Sequence, residues 1–255
     1  MRKITWTIAI LCLIAGLAGY SSAAPDPDQG RAMSAMSVAE LEKAGDKARS
    51  EKDYQTAIDY FRAAIRKDPK NPELYNKLGM SELKKGDMYA ARSDFQKATK
   101  LNPKYAYALN NIGAVDFSQK KFGSAVKYFK KAVALEETSA TFHVNLGAAW
   151  YAQKKLERAI VEYSRALELD PEVLSSSSRA GVTAQITNTE ERARFSYMLA
   201  KVYAQRGDIE SCLRCLRKAK EDGYRDLANV YKEEDFASVR HDTRLVELVP
   251  PPVAK

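Results

Sequence analysis

The feature that most constrains this chain is a period of 34 residues. Pro69 and Pro103 stand 34 apart, Pro171 lies two further periods on, and Gly45, Gly79, Gly113 and Gly147 keep the same spacing. A strict period of this length marks stacked supersecondary units, each too small to bury its apolar face alone. Within the first unit, Leu41, Ala44, Gly45 and Ala48 recur at helical spacing, Lys52-Asp53-Tyr54 makes a corner, and Ala57, Phe61, Ala64 and Ile65 return along a second helix. Two antiparallel helices follow, with small residues where they approach. Asp68-Pro69 ends the second helix, because Pro supplies no backbone donor and biases its predecessor away from helix.

Four units fall in phase, at 38–71, 72–105, 106–139 and 140–173. The third lacks its closing Pro and reads Glu136-Glu137-Thr138-Ser139 instead, so its second helix is expected to run slightly longer before Thr138 or Ser139 caps the next. After Pro171 the phase slips. Residues 174–192, with serines at 175–178, read as an insertion that is partly loop, and Thr187 with Glu190 makes a capping box ahead of the next helix. A degenerate fifth unit spans 193–226, carried by Leu199, Ala200, Tyr203, Gly207, Leu216 and Ala219 and closed by Gly223. Residues 227–249 form two short amphipathic segments, with Phe236, Val239, Leu245 and Val249 among their apolar residues. They are expected as capping helices that cover the array's apolar end, before a proline-rich tail at 250–255.

The second unit places an aromatic fourth, Leu-Gly seventh and eighth, Ala twentieth, an aromatic twenty-fourth, Ala twenty-seventh and Pro thirty-second, and the other units keep most of these residue classes at the same places. This pattern resembles the tetratricopeptide repeat. The resemblance implies an all-α fold, a right-handed superhelical solenoid of antiparallel helix hairpins whose first helices line a concave groove. It also implies binding of an extended peptide or a partner protein. In that family, places two, five, six, nine, twelve and thirteen of each first helix tend to face the groove. Carried onto this chain, they give Asn76, Lys77 and Met80 in the second unit, Tyr107, Asn110, Asn111 and Phe117 in the third, and Val144, Asn145 and Tyr151 in the fourth. An Asn amide both donates and accepts, which suits a peptide backbone. Asn111 and Asn145 hold equivalent places and resemble the asparagine ladders of some peptide-binding members, although Asn is common at that place in any case. Members that clamp the carboxylate tail of heat-shock chaperones need Lys at place five and Asn at place nine of their first unit. Here those places hold Glu42 and Asp46, which would repel such a tail.

The N-terminus reads as a targeting signal over residues 1–23. Arg2 and Lys3 precede an apolar run from Ile8 to Gly19, and small residues follow at Ser21, Ser22, Ala23 and Ala24. Cleavage after Ala23 implies export to the periplasm or beyond in a bacterial cell envelope; the competing reading is an uncleaved anchor. Residues 24–37 read as a flexible linker.

With 41 Lys+Arg against 33 Asp+Glu the chain is basic, at a formal net of +8, but acids and bases are interspersed along its length. Nucleic acid is therefore not expected as a partner, and with the leader removed no membrane partner is expected of the mature form. Gly-rich phosphate loops, H-E-x-x-H and G-x-S-x-G are all missing, so no catalytic residue and no cofactor is expected. His143 and His241 lie too far apart in sequence to suggest zinc. Cys212 and Cys215 form a C-x-x-C pair, yet Cys212 fills a small-residue packing place inside a helix, which favours a structural role over redox chemistry. The reading is thus a non-enzymatic binding scaffold. Its alternatives are an assembly module that self-associates through the apolar end, and a redox protein using the Cys pair.

Overall fold

The computed structural model describes residues 27–174 and 188–252 and divides into two units, Met1–Met36 and Ser37–Lys255. In the first, Pro27–Ala35 forms helix α1, which corrects the flexible-linker reading. Pro is tolerated in a helix's first turn, and Gln29, Arg31, Ala32 and Met33 are good helix formers. The leader expected at 1–23 lies outside the described residues.

The second unit repeats one hairpin. Helices α2 (Val38–Ser50), α4 (Pro72–Lys85), α6 (Ala106–Ser118) and α8 (Ala140–Ala152) each begin 34 residues after the last. Their partners α3 (Tyr54–Lys67), α5 (Met88–Leu101), α7 (Phe122–Leu135) and α9 (Leu156–Leu169) keep the same step. Each first helix packs on its own partner, and each second helix packs on the first helix of the next unit. The result is an all-α solenoid of helix hairpins, with no strand among the described residues.

Local chemistry sets these boundaries. Ser37 and Glu40 form a reciprocal capping box at α2, while Asp53 and Asp87 accept the amides of Thr56 and Ala90 at the starts of α3 and α5. Every corner passes through one left-handed residue at place fifteen: Lys52, Gly86, Lys120, Lys154 and, in the fifth unit, Gly207. Where the helices cross, the place-eight glycine faces the ring at place twenty-four. A methyl group on Gly45, Gly79 or Gly113 would stand 2.7–2.8 Å from Phe61, Phe95 or Phe129, and one on Gly147 3.1 Å from Tyr163. The fifth unit varies both partners together, with Ala200 and Leu216 at these places, each fully buried.

Three local expectations are corrected. The second helix of the third unit ends on schedule at Leu135, and Ser139 precedes α8 without a side-chain cap. His143 ties that turn instead, with its ring nitrogens 3.1 Å from the Glu137 carbonyl and 2.7 Å from Glu162. After the insertion, α10 (Thr189–Gln205) is capped by Asn188 rather than Thr187. The Asn188 Oδ1 accepts from the Glu190 and Glu191 amides, so residues 189–192 belong to the helix. Residues 175–187 of the expected insertion lie outside the described residues. Helix α11 (Ile209–Glu221) follows and is closed by Gly223 at a φ of 82°. The C-terminal segments are 3-10 turns at Leu227–Tyr231 and Glu234–Phe236 and a short α12 (Thr243–Leu248) rather than two amphipathic helices. Val230, Phe236, Val239 and Leu245 join one core cluster with Leu216 and thereby cover the last hairpin.

Place eleven of the first helix holds a buried carboxylate in two consecutive units. Asp116 is matched by Arg92 at 3.0 Å and by the Ser124 hydroxyl at 2.5 Å. Glu82 receives Arg62 at 3.0 Å on Oε1, but its buried Oε2 takes no bond from a fixed donor. Burial and the adjoining Glu82 carboxylate push the Asp94 carboxyl up to about 8, so a proton held on Asp94 supplies the missing donor. Unfolding releases that proton, and the pair's contribution is complete below about pH 4 and lost as pH rises through about 8. Asp94→Asn carries a permanent donor. Relative to the parent, its denaturant midpoint is expected to rise between about pH 5 and about pH 9, and an unchanged difference across that range would contradict the shared proton.

Candidate functional site

The residues expected to line the groove are largely occupied with one another. Asn111 Nδ2 donates to Asn76 Oδ1, and Asn145 Nδ2 donates to Asn110 Oδ1, both at 2.9 Å. Lys77 Nζ makes the corresponding link one unit earlier, to Glu42 at 2.5 Å, and also reaches Asp46 at 2.6 Å. Each time, a donor at place six meets an acceptor at place five of the preceding unit. Burial pulls the Lys77 ammonium down, but its bonds to Asp46 and Glu42 outweigh this and hold it above the usual lysine range. These are inter-unit staples. Asn76, Asn110, Asn145 and Val144 are buried, Val144 at only 2 % exposure, so none presents a free polar edge to a ligand.

The remaining four expected residues, with Asn111, keep partly open surface. Tyr107 is 50 % exposed, donates from its hydroxyl to Glu136 at 3.2 Å, and rests edge-on against Phe142. Phe117 leans on Phe122, and Met80 accepts a weak bond on sulfur from Asn76 at 3.7 Å. Tyr151 leads elsewhere, to a cleft of about 770 Å³ where the fourth unit meets the fifth.

Arg194, Tyr197, Met198, Lys201 and Gln205 of α10 form one side of this cleft. They occupy places two, five, six, nine and thirteen of the fifth unit, the same places that were applied only to units two to four. The sequence signal was there, masked by the phase slip. The start of α9 supplies Leu156, Ile160 and Val161 opposite, and Tyr224, Glu233 and Asp235 close the C-terminal side. Val161 is 65 % exposed, an apolar surface without a covering residue of its own unit.

Polar groups around the cleft are held in fixed positions. Tyr197 stacks on Tyr224 with centroids 4.3 Å apart and donates to Glu233 at 3.1 Å. Lys201 lies 2.7 Å from Glu233 and 3.3 Å from Asp235, which also accepts from Gln205 at 2.6 Å. Burial alone would lower the Lys201 ammonium, but its bonds to Glu233 and Asp235 leave it raised and charged. Tyr151 donates to the Glu191 carbonyl at 3.1 Å and packs edge-on to Phe195. Burial, reinforced by nearby carboxylates, lifts the Tyr151 and Tyr197 hydroxyls well above the ordinary phenol range, so both remain neutral donors. Among the charged lining residues, five carboxylates (Glu157, Glu191, Asp226, Glu233, Asp235) face three cations (Lys154, Arg194, Lys201). The cleft suits an apolar side chain flanked by positive charge.

Nothing in the cleft resembles a nucleophile with its base. Cys212 is buried and Cys215 partly so, and burial pushes both thiols up to about 12, away from the reactive thiolate. Among the described residues no cluster of His, Cys, Asp and Glu is arranged to hold a metal, and no helix is long and apolar enough to cross a membrane.

Comparison with known proteins bears on the hairpins rather than on the cleft. Family profiles described as tetratricopeptide repeat match residues 42–106 and 76–139, 140–173 and 193–221. Among solved structures, a crystal structure of MamA protein is 21 % identical and covers 77 % of this chain and 95 % of its own, with a TM-score of 0.51. MamA from Desulfovibrio magneticus RS-1, from residue 41 to its end, is also 21 % identical, covering 72 % and 93 % at a TM-score of 0.52. TTC0263, a thermophilic protein of Thermus thermophilus, is 18 % identical, covering 75 % and 94 % at a TM-score of 0.50. At such identities the likeness is one of fold. No curated protein matches the chain.

Proposed function

Because the chain belongs to the tetratricopeptide-repeat family, we propose that it is a non-enzymatic scaffold that binds a peptide segment of a partner protein in the cleft between its fourth and fifth units. One observation carries this reading. The concave-side places of α10 converge with the uncovered apolar start of α9 on one cleft, while the same places in units two to four are spent largely on inter-unit staples. A peptide side chain seated against Leu156, Ile160 and Val161 would remove apolar surface from water, and the excess of carboxylates would attract Lys or Arg beside it.

Export into a bacterial envelope belongs to this proposal and is supported by the Arg2-Lys3 start, the apolar run and the small residues before Pro25. Sequencing the N-terminus of the exported protein is expected to begin at Ala24; an intact Met1 would contradict cleavage. Self-association through an apolar end finds less support, since Val230, Phe236, Val239 and Leu245 already cover the last hairpin.

The binding proposal is tested by selecting displayed random peptides on the purified chain. Enriched peptides are expected to share an apolar residue next to Lys or Arg and to be released by raised salt. Enrichment of acidic peptides, or no enrichment, would overturn the assignment of the cleft.

A further inference from the structure

The mixing of acids and bases along the whole sequence conceals a local imbalance. Between residues 84 and 131 there are eleven Lys+Arg and three Asp+Glu, so this stretch alone carries +8, equal to the net charge of the entire chain. Of the three acids, Asp116 is buried against Arg92, Asp94 is half-buried beside Glu82, and Asp87 stays exposed at the corner where it caps α5. Arg92 is the stretch's single arginine, which leaves ten lysines. All ten are exposed, and among the described residues none of them forms an ion pair.

Five of the ten share one kind of surface. On α5 and α7 the outward residues occupy places eighteen, twenty-two, twenty-five, twenty-six and twenty-nine. On α5 these include Tyr89, Lys97 and Lys100, and on α7 they include Lys127, Lys130 and Lys131. Neither helix has a carboxylate at any of these places. The same places hold Asp59 on α3, Glu157 and Glu168 on α9, and Glu210 and Glu221 on α11. Two neighbouring units therefore present a carboxylate-free, lysine-rich face, flanked by Lys84 and Lys85 at one corner and Lys120 and Lys121 at the next.

We propose that the outward face of α5 and α7 docks on an anionic phospholipid surface. The composition points to this occupant. Protein interfaces are depleted in Lys and enriched in Arg and packed aromatic anchors, and base-specific nucleic-acid contacts favour the Arg fork; this face has Lys throughout and no free Arg. Ammonium groups on flexible stems suit a fluid array of headgroups, where each contributes independently. Tyr89, 85 % exposed on the same side of α5, is an amphipathic ring of the kind that settles at headgroup level. The face uses none of the cleft's residues, so it stands apart from the peptide-binding proposal. It also revises the expectation that the mature chain has no membrane partner.

Co-sedimentation with vesicles tests the proposal. The full chain is expected to bind vesicles of phosphatidylcholine mixed with phosphatidylglycerol, to ignore phosphatidylcholine alone, and to dissociate in high salt. Each lysine near the surface is expected to strengthen binding about fivefold. The triple change Lys127→Glu, Lys130→Glu and Lys131→Glu should therefore weaken it at least about a hundredfold, with helical circular dichroism unchanged. The same reversals at Lys43, Lys47 and Lys70, exposed but outside the face, serve as the charge-matched control and should weaken it far less. Equal losses in the two triples, equal binding to neutral vesicles, or binding to duplex DNA or polyglutamate but not to the mixed vesicles would each overturn it.

Discussion

Gly113→Ala is expected to destabilise the protein by about 2–3 kcal/mol, although in an exposed helix the same change would stabilise it by roughly 1. The added methyl would stand 2.7 Å from the Phe129 ring, which is itself fully buried and has nowhere to retreat. Overpacking therefore outweighs the gain in helix propensity. The chain contains its own suppressor: the fifth unit fills these places with Ala200 and Leu216. Phe129→Leu alone leaves a void and should cost about 1 kcal/mol. Added to Gly113→Ala, it should recover most of the loss, so the two changes together cost clearly less than their sum. The denaturant midpoints of the four proteins in this cycle provide the check. A neutral Gly113→Ala, or strict additivity, would contradict the close crossing. Gly147→Ala is expected to be milder, because its methyl would meet Tyr163 at 3.1 Å.

Asn145→Ala is expected to cost about 1–3 kcal/mol, because it strips the Asn110 Oδ1 of the Asn145 donor in a buried site. Asn111→Ala, in the half-buried equivalent, lets water reach Asn76 and should cost less. Replacing Asn110 and Asn145 together by Leu removes donor and acceptor at once and should recover much of the loss. Equal costs at positions 111 and 145 would contradict the staple. These asparagines are therefore unsuitable probes of binding, since a partner lost on Asn145→Ala would report a loosened joint between units rather than a missing ligand contact.

The fold was legible because the period fixes it. Pro, Gly and aromatic residues recur for reasons that are local to one hairpin, so helix starts and crossings follow from the pattern. The site was less legible. An amide at place six can face a peptide or the acceptor at place five of the previous unit, and its identity does not distinguish the two. Only the packing that brings residues 35 apart into contact decides, as it does for Lys77 with Glu42, Asn111 with Asn76 and Asn145 with Asn110. The cleft was hidden differently. Its α10 residues hold the right places, but the slip after Pro171 interrupts the count that would have carried the pattern to Arg194, Tyr197 and Met198. Charge was obscured by averaging, since outside residues 84–131 the chain carries thirty Lys+Arg against thirty Asp+Glu.

The central claim is that ligand recognition lies in the cleft between the fourth and fifth units. Its most direct test is a calorimetric titration of one enriched apolar-basic peptide into the parent, Val161→Lys and Ala134→Lys. Val161 lines the cleft and is exposed, so a lysine there places an ammonium on the apolar wall, against the basic residue of the peptide, without disturbing the core. Ala134 is exposed on α7 and does not line the cleft, and it controls for added charge. The account predicts at least about a tenfold loss of affinity for Val161→Lys and parental affinity for Ala134→Lys. Equal affinity for the parent and Val161→Lys would contradict it.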